Sequence, residues 1–185
     1  ETPHVLANKS ASRETIFFER LRLAIGEVED NYDVVVLDTP PSLGFLTLGA
    51  IYAATGIIVT VHPAMLDVMS MSQFLLMMDG LIGAIHAEGG ELKQDFFHYL
   101  ITRHDPNDQP QAQVVSMLRH LFAEDVLAPT AVESTAVESA GLAKRTLYAL
   151  ESGNVGRDTF RRAKDSIDAV NDRILELVRQ SWGRT

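Results

Sequence analysis

Asp38 is the residue of this sequence whose type and position most directly indicate chemistry. It ends the apolar run Val34–Leu37, which is typical of a strand buried on both faces of a parallel sheet. Open α/β sheets bind ligands just beyond the carboxyl ends of their strands. Pro40 and Pro41 cannot extend a strand ladder, so the chain must leave as a stiff loop. A carboxylate beside such a loop suits a Mg²⁺–phosphate site, although Asp is also a common loop starter with no ligand at all.

Composition limits the other kinds of site. The chain has 185 residues, enough for one domain with a sizeable core, and we expect residues 1–185 to form a single domain. It contains no cysteine, which excludes disulfides and cysteine-ligated metal centres and fits a cytoplasmic protein. No apolar run is expected to reach the roughly 20 residues that span a bilayer.

Charge is distributed unevenly along the chain. The formal net charge is −9, yet residues 142–185 carry nine basic and six acidic residues and are net +3. A basic end on an acidic body is consistent with a nucleic-acid footprint, but the charge distribution alone slightly favours a solvated helix face with mixed charges.

The elements that must position Asp38 follow from hydrophobic periodicity. Strand and helix patterns alternate, which predicts a mostly parallel sheet with right-handed crossovers. Residues 129–141 are small and polar and are expected to form a loop. The predicted strands are 34–38, Ile57–Val61, Phe96–Ile101 and a short edge strand at 126–128; the predicted helices are 13–29, Leu43–Ala54, Asp67–Ala87, 111–122 and Arg157–Ser181.

The order of these pieces resembles a known family. The block YDVVVLDTPPSLGFLTLGAIYAATGIIVTVHP is similar to the second conserved block of ParA-type ATPases, a branch of the deviant Walker-A P-loop proteins. The later part, from LITRHDP through AGLAKRTLY to the last helix, is similar to the RepA partition ATPases of repABC-type replicons. The resemblance implies an α/β, P-loop NTPase-like three-layer fold with a mostly parallel sheet.

The resemblance also implies roles for matching residues, with ATP and Mg²⁺ as cofactors. Asp38 would be the Walker-B carboxylate that holds Mg²⁺, and the loop from Thr39 to Gly44 would sense the γ-phosphate. The remaining implied site residues are Pro40, Pro41 and Ser42 in that loop, Pro63 after the next strand, and Thr102 and Arg103, where relatives approach the adenine.

Relatives of this kind bind nonspecific DNA through basic surfaces near their C-terminal region. Lys144, Arg145, Arg161 and Arg162 are the candidates here. The further partners that the resemblance implies are a second copy of the chain and a ParB-like centromere-binding protein, with no membrane.

One departure from the family pattern is large. The sequence contains no G-x-x-x-x-G-K-[ST], no K-G-G-x-x-K-[ST] and no Gly-Lys pair. The backbone cradle for phosphates and its lysine are therefore lacking from this chain. We interpret the chain as the C-terminal part of a ParA-like ATPase domain, without the first strand and P-loop, and expect it to bind ATP poorly alone.

Three alternatives stay open. A MinD-like membrane-cycling ATPase would use the last helix as an amphipathic anchor, but its acidic residues disfavour an anionic surface. A nucleic-acid adenine methyltransferase would need an aromatic residue where Ser42 stands. A non-catalytic P-loop-like interaction module is consistent with the missing cradle.

Overall fold

The computed structural model describes residues 11–40, 42, 44–87, 92–150 and 155–183. The chain divides into two compact units, the first made of residues 1–57 and 74–95 and the second of residues 58–73 and 96–185. The regular elements are α1 (Ala11–Gly26), α2 (Phe45–Ala53), β1 (Gly56–Val61), α3 (Met65–Ala87), β2 (Phe96–Ile101), α4 (Gln109–Phe122), α5 (Thr135–Leu142) and α6 (Arg157–Ser181).

The second unit contains the sheet except for Gly56 and Ile57, the first two residues of β1. Strands β1 and β2 are neighbours in a two-stranded parallel sheet, and parallel bridges join Tyr99 to Val126 and His104 to Val132. Helix α6 packs its apolar stripe on this sheet side, where Leu100, Leu127 and Val170 belong to one buried cluster. The α/β class with parallel strands is therefore confirmed.

The first unit contains helices α1 and α2, which pack against each other. Helix α2 is short and strongly apolar, and it buries Thr47, Gly49, Ala50 and Ile51. The predicted helix at Leu43–Ala54 is thus confirmed apart from its ends.

The predicted strand that ends at Asp38 is wrong. Residues 33–40 form no helix or strand, and Val34, Val35 and Val36 are 46%, 43% and 86% exposed. In the described part of the chain, residues 34–38 make no backbone hydrogen bond to another strand. An apolar run becomes a buried strand only when neighbouring strands satisfy its backbone and cover its faces.

Two further predictions need correction. The segment 126–128 is an isolated bridge through Val126 rather than a strand. The predicted loop 129–141 instead contains α5, whose first turn is capped by the Ser134 hydroxyl accepting a hydrogen bond from the Ala136 amide. Small residues hide this helix in the sequence because Ala136 and Ala140 fill a buried face that larger side chains usually mark.

Helix α3 also departs from expectation. It is 23 residues long and, by length and composition alone, apolar enough to cross a membrane. The expectation that no segment meets this criterion is therefore wrong, although core helices of globular proteins meet it too. Val68, Met71 and Met78 on this helix are buried, whereas Met65 and Leu66 are mostly exposed.

Candidate functional site

The loop that follows Asp38 lies in the first unit. Asp38, Thr39, Pro40, Ser42 and Gly44 are all exposed. Pro41, which the sequence assigns to the same site, lies outside the described residues. The described residues contain no group of three or more His, Asp or Glu side chains that could hold a metal ion, so Asp38 is not part of such a group there. One carboxylate with nearby hydroxyls fits Mg²⁺ that takes its other ligands from phosphate and water.

Thr47 fixes this loop to helix α2. Its hydroxyl lies 2.7 Å from the carbonyl oxygen of Ser42 and 3.4 Å from that of Pro40. Thr47 is 5% exposed. Among the residues that the structure describes, it is the one buried residue with a polar or charged side chain outside the hydrophobic core set. Sequence reasoning misses it because it looks like one more small residue in an apolar helix.

Gly44 is the N-cap of α2 and has φ −88°, a conformation that any residue adopts. No atom lies within 4 Å of the position that a Cβ would take there. Neither the backbone nor the packing therefore requires glycine at this position.

A second group of candidate residues lies at the carboxyl end of the sheet, within the second unit. The amide of Thr102 donates to the carbonyl of Val61 over 2.9 Å, which brings the ends of β1 and β2 together. Arg103 adopts a left-handed conformation with φ 52°, and its guanidinium lies 4.0 Å from the Glu133 carboxylate. Pro63 is fully buried, so here it packs in the core rather than facing solvent.

The segment around residue 131 runs beside this end of the sheet. The Ala131 amide donates to the Ile101 carbonyl over 2.9 Å, and the His104 amide donates to the Ala131 carbonyl over 3.1 Å. The structure therefore brings Thr102 and Arg103 next to the segment 129–132 that leads into α5.

Two histidines at this end of the sheet are not assigned by the sequence. Nδ1 of His62 lies 3.0 Å from Oδ2 of Asp67, which ties the loop after β1 to the first turn of α3. Nδ1 of His104 lies 3.2 Å from the Thr130 hydroxyl, while its Nε2 is buried without a partner in the described structure. Burial lowers the pKa of His104, and the nearby Arg119 charge lowers it further.

The basic candidates lie near the start of α6 and the turn before it. Lys144 and Arg145 end helix α5: the Arg145 amide donates to the Ala140 carbonyl and the Lys144 amide to the Gly141 carbonyl. These two bonds form a Schellman motif, in which the left-handed position usually holds glycine. Here Lys144 occupies it with φ 53°.

Arg161 and Arg162 do not share a face of α6. Successive helical residues are about 100° apart, so the two guanidinium groups point to different flanks. Arg161 lies 2.9 Å from the Asp158 carboxylate in an exposed pair that is worth little energetically. The side chains of Arg161 and Arg162 are both exposed, on different flanks of α6.

A polar network holds the turn after Arg145 on α6. The Tyr148 hydroxyl donates to Asp168 over 2.6 Å, and Lys164 donates to the other oxygen of Asp168 over 2.6 Å. The bond to Asp168 raises the pKa of both Tyr148 and Lys164, and the bonds from Lys164 and Tyr148 lower the pKa of Asp168. The Asn171 amide donates to the Tyr148 hydroxyl over 3.1 Å and completes the network.

Known proteins resemble this chain over its whole length. The AAA domain family model matches residues 3–88. A "Putative replication protein A" of Sinorhizobium fredii is 48% identical over 184 residues, which is all of this chain and 45% of that protein. SopA of Escherichia coli K12 is 29% identical over 166 residues, covering 88% of this chain and 42% of that protein.

The solved structures agree with the fold. A structure titled "Partition Protein" aligns with a TM-score of 0.61 and 22% identity, covering 88% of this chain and 39% of that chain. The chain spans a little under half the length of the curated relatives it matches. Sequence similarity along the whole chain and the shared fold lead to one conclusion: the chain is similar in sequence and in fold to ParA-type partition proteins.

Proposed function

We propose that this chain is part of an ATP-dependent switch that segregates a plasmid or other replicon. The observation that carries the proposal is the 48% identity of the entire chain to a "Putative replication protein A", together with an exposed Asp38 loop that the buried Thr47 of α2 holds by a hydrogen bond. A tethered loop beside a terminal phosphate can have two discrete settings, which is what a nucleotide switch requires.

In this proposal each group of residues has a distinct task. Asp38 would hold Mg²⁺, which stabilises charge on the phosphates when bound. The loop from Thr39 to Gly44 would register the terminal phosphate, and Thr102 and Arg103 would approach the base. The phosphate cradle and its lysine are not among these 185 residues, so nucleotide binding belongs to the complete protein.

The proposed DNA-binding surface is the turn that contains Lys144 and Arg145. Lys144 and Arg145 are exposed, and nonspecific DNA binding requires only clustered phosphate contacts. We further propose a homodimer and a ParB-like partner that stimulates turnover, acting in the cytoplasm. The apolar face of α6, with Ala163, Val170 and Leu177, is buried within the second unit, which supports DNA over a lipid surface as the target.

The proposed role in ATP turnover is tested with the complete protein and Mg-ATP. We expect Asp38→Asn to lower ATP turnover by roughly 10- to 100-fold, the usual effect of disturbing a metal's supporting residues. Asp33→Asn is the matched control, because Asp33 is an exposed carboxylate of the same segment and should leave turnover unchanged. The proposal would be contradicted if the wild-type protein neither bound nor hydrolysed Mg-ATP, or if Asp38→Asn and Asp33→Asn changed turnover to the same extent.

The proposed DNA binding is tested by measuring how the affinity for DNA depends on salt concentration. Removing a basic side chain that touches one phosphate should reduce the slope of log affinity against log salt by about 0.9. We expect Lys144→Ala and Arg145→Ala each to lower affinity with such a change in slope. Arg22→Ala, which removes the same charge from the first unit, should not. Measuring Arg161→Ala and Arg162→Ala separately would show which flank of α6 faces DNA.

A further inference from the structure

A cavity of about 280 Å³ opens in the first unit at the C-terminal end of α2. Its walls come from three parts of the chain: helix α1, the end of α2 with the two residues that follow it, and the segment that leads to β2. The described lining residues are Arg22, Tyr52, Ala53, Ala54, Thr55 and Lys93. Helix α2 has nine residues and rises about 1.5 Å per residue, so its two ends lie about 14 Å apart. The loop that follows Asp38 adjoins the other end, and the cavity is therefore a separate place.

The walls of this cavity are held together by contacts of the fold. Helices α1 and α2 pack against each other. The Gln94 side-chain amide donates to the Ile51 carbonyl over 3.3 Å, and the Asp95 amide donates to the Thr55 carbonyl over 2.6 Å. These two hydrogen bonds fasten the segment that carries Lys93 beside the end of α2.

The polar side chains of the lining can all donate hydrogen bonds, and two of them are cations. Arg22 and Lys93 carry the charges, and Tyr52 and Thr55 contribute hydroxyls. None of the described lining residues is acidic. Arg22 forms no ion pair with another described residue, and within the same part of the chain the two hydroxyls have no hydrogen-bond partner. The cavity thus gathers donors for which the fold supplies no acidic acceptor among these residues.

The balance of charge decides which ligands the cavity favours. A concave site lined by one sign of charge concentrates its field and attracts the opposite sign. The C-terminal end of α2 opposes an anion, but a helix end acts as only about half a charge. The two side-chain cations outweigh it about fourfold, and the Ile51 carbonyl is already bonded to Gln94. The cavity therefore favours an anion.

We propose that this cavity binds the phosphate group of a small phosphorylated molecule. A phosphate monoester carries nearly two negative charges and three acceptor oxygens that point in different directions, which suits donors that arrive from separate walls. A carboxylate offers two oxygens in one plane and suits this arrangement less well. The volume lies just below the roughly 300–1,000 Å³ of sites for drug-sized ligands, so the ligand is compact.

Binding of inorganic phosphate to the complete protein tests the proposal. Isothermal titration calorimetry at about pH 8, where phosphate is mainly a dianion, gives the Kd. We expect Arg22→Gln to weaken binding at least about tenfold and Tyr52→Phe about threefold, because the first removes a charge-assisted hydrogen bond and the second a neutral donor. Arg20→Gln is the matched control, since Arg20 is an exposed arginine of the same helix that does not line the cavity, and its Kd should stay within about twofold of wild type.

Three results would overturn the proposal. They are no phosphate binding by the wild-type protein in the millimolar range, equal weakening by Arg22→Gln and Arg20→Gln, and acetate binding as tightly as phosphate, which would assign the cavity to carboxylates. Thermal unfolding without phosphate checks that each variant folds, and Tyr52→Phe, which keeps the ring, decides the proposal if Arg22→Gln is unfolded. The proposal does not rest on the proposed ATP switch, so its failure leaves the role of Asp38 unaffected.

Discussion

Lys144 offers a prediction in which stability and function should move in opposite directions. Its φ of 53° places a lysine in the left-handed conformation at the end of α5. That conformation costs a side chain with a Cβ roughly 1–2 kcal/mol, whereas it costs glycine almost nothing. Glycine also gains roughly 0.4–1 kcal/mol of freedom in the unfolded chain, which offsets part of the benefit. Lys144→Gly should therefore raise the free energy of unfolding by about 0.5–1 kcal/mol.

The matched control is Lys144→Ala, which removes the same charge and keeps the Cβ. We expect this variant to show no gain in unfolding free energy, measured by urea denaturation. Both variants should bind DNA more weakly to the same degree, with the same reduction in salt slope, because each removes one phosphate-binding charge. If Lys144→Gly is no more stable than Lys144→Ala, the backbone at this position is not strained and the reasoning fails.

Three further predictions concern the second unit. Leu118→Ala should cost about 2–5 kcal/mol in urea denaturation because Leu118 is 2% exposed, whereas Leu121→Ala on the same helix, 63% exposed, should cost under about 0.5 kcal/mol. Asp108→Ala should cost about 1 kcal/mol by the same measurement, since the Asp108 carboxylate caps α4 through the Gln111 amide. His104 has a lowered pKa in the fold, so the unfolded chain binds its proton first and stability should fall as pH drops below about 6.5. Thermal unfolding of His104→Gln between about pH 7.5 and 5.5, which brackets the ordinary histidine pKa, should show a shallower loss than wild type, and an equal loss would refute this account.

The elements that the sequence predicts best are those whose own residues indicate both whether they are helix or strand and where they begin and end. Helix α6 lies at the residues where it is expected, because its apolar stripe recurs at helical spacing along its whole length. Strand β2 likewise lies at Phe96–Ile101 as predicted, where a run of apolar and aromatic residues is bounded by polar ones. The predicted start of α3 at Asp67 is two residues late, since α3 begins at Met65 and Asp67 lies in its first turn, in contact with His62.

The candidate site can be predicted from the sequence only where its residues are adjacent and form one motif. The loop at Asp38 is found because its residues are adjacent in sequence. The contacts of His104 with Thr130 and of Tyr148 with Asp168 join residues 26 and 20 positions apart, which no local spacing rule connects. Thr47 is a different case: it is only five residues from Ser42, but hydrophobic patterning says nothing about where a hydroxyl donates.

The valines before Asp38 show why local pattern and tertiary structure disagree at this site. Fully burying a valine contributes roughly 1.5–3 kcal/mol, and the exposed fractions of Val34, Val35 and Val36 together amount to nearly two whole side chains. Covering them with strands on both sides would therefore contribute about 3–5 kcal/mol and would supply the missing backbone partners. Because Asp38 directly follows the run Val34–Leu37, the same strand pairing that buries the valines would also fix the position and direction of the Asp38 carboxylate. The position of the proposed metal ligand thus depends on strand pairing that the described residues do not provide, whereas the bond from Thr47 to the Ser42 carbonyl is made between described residues.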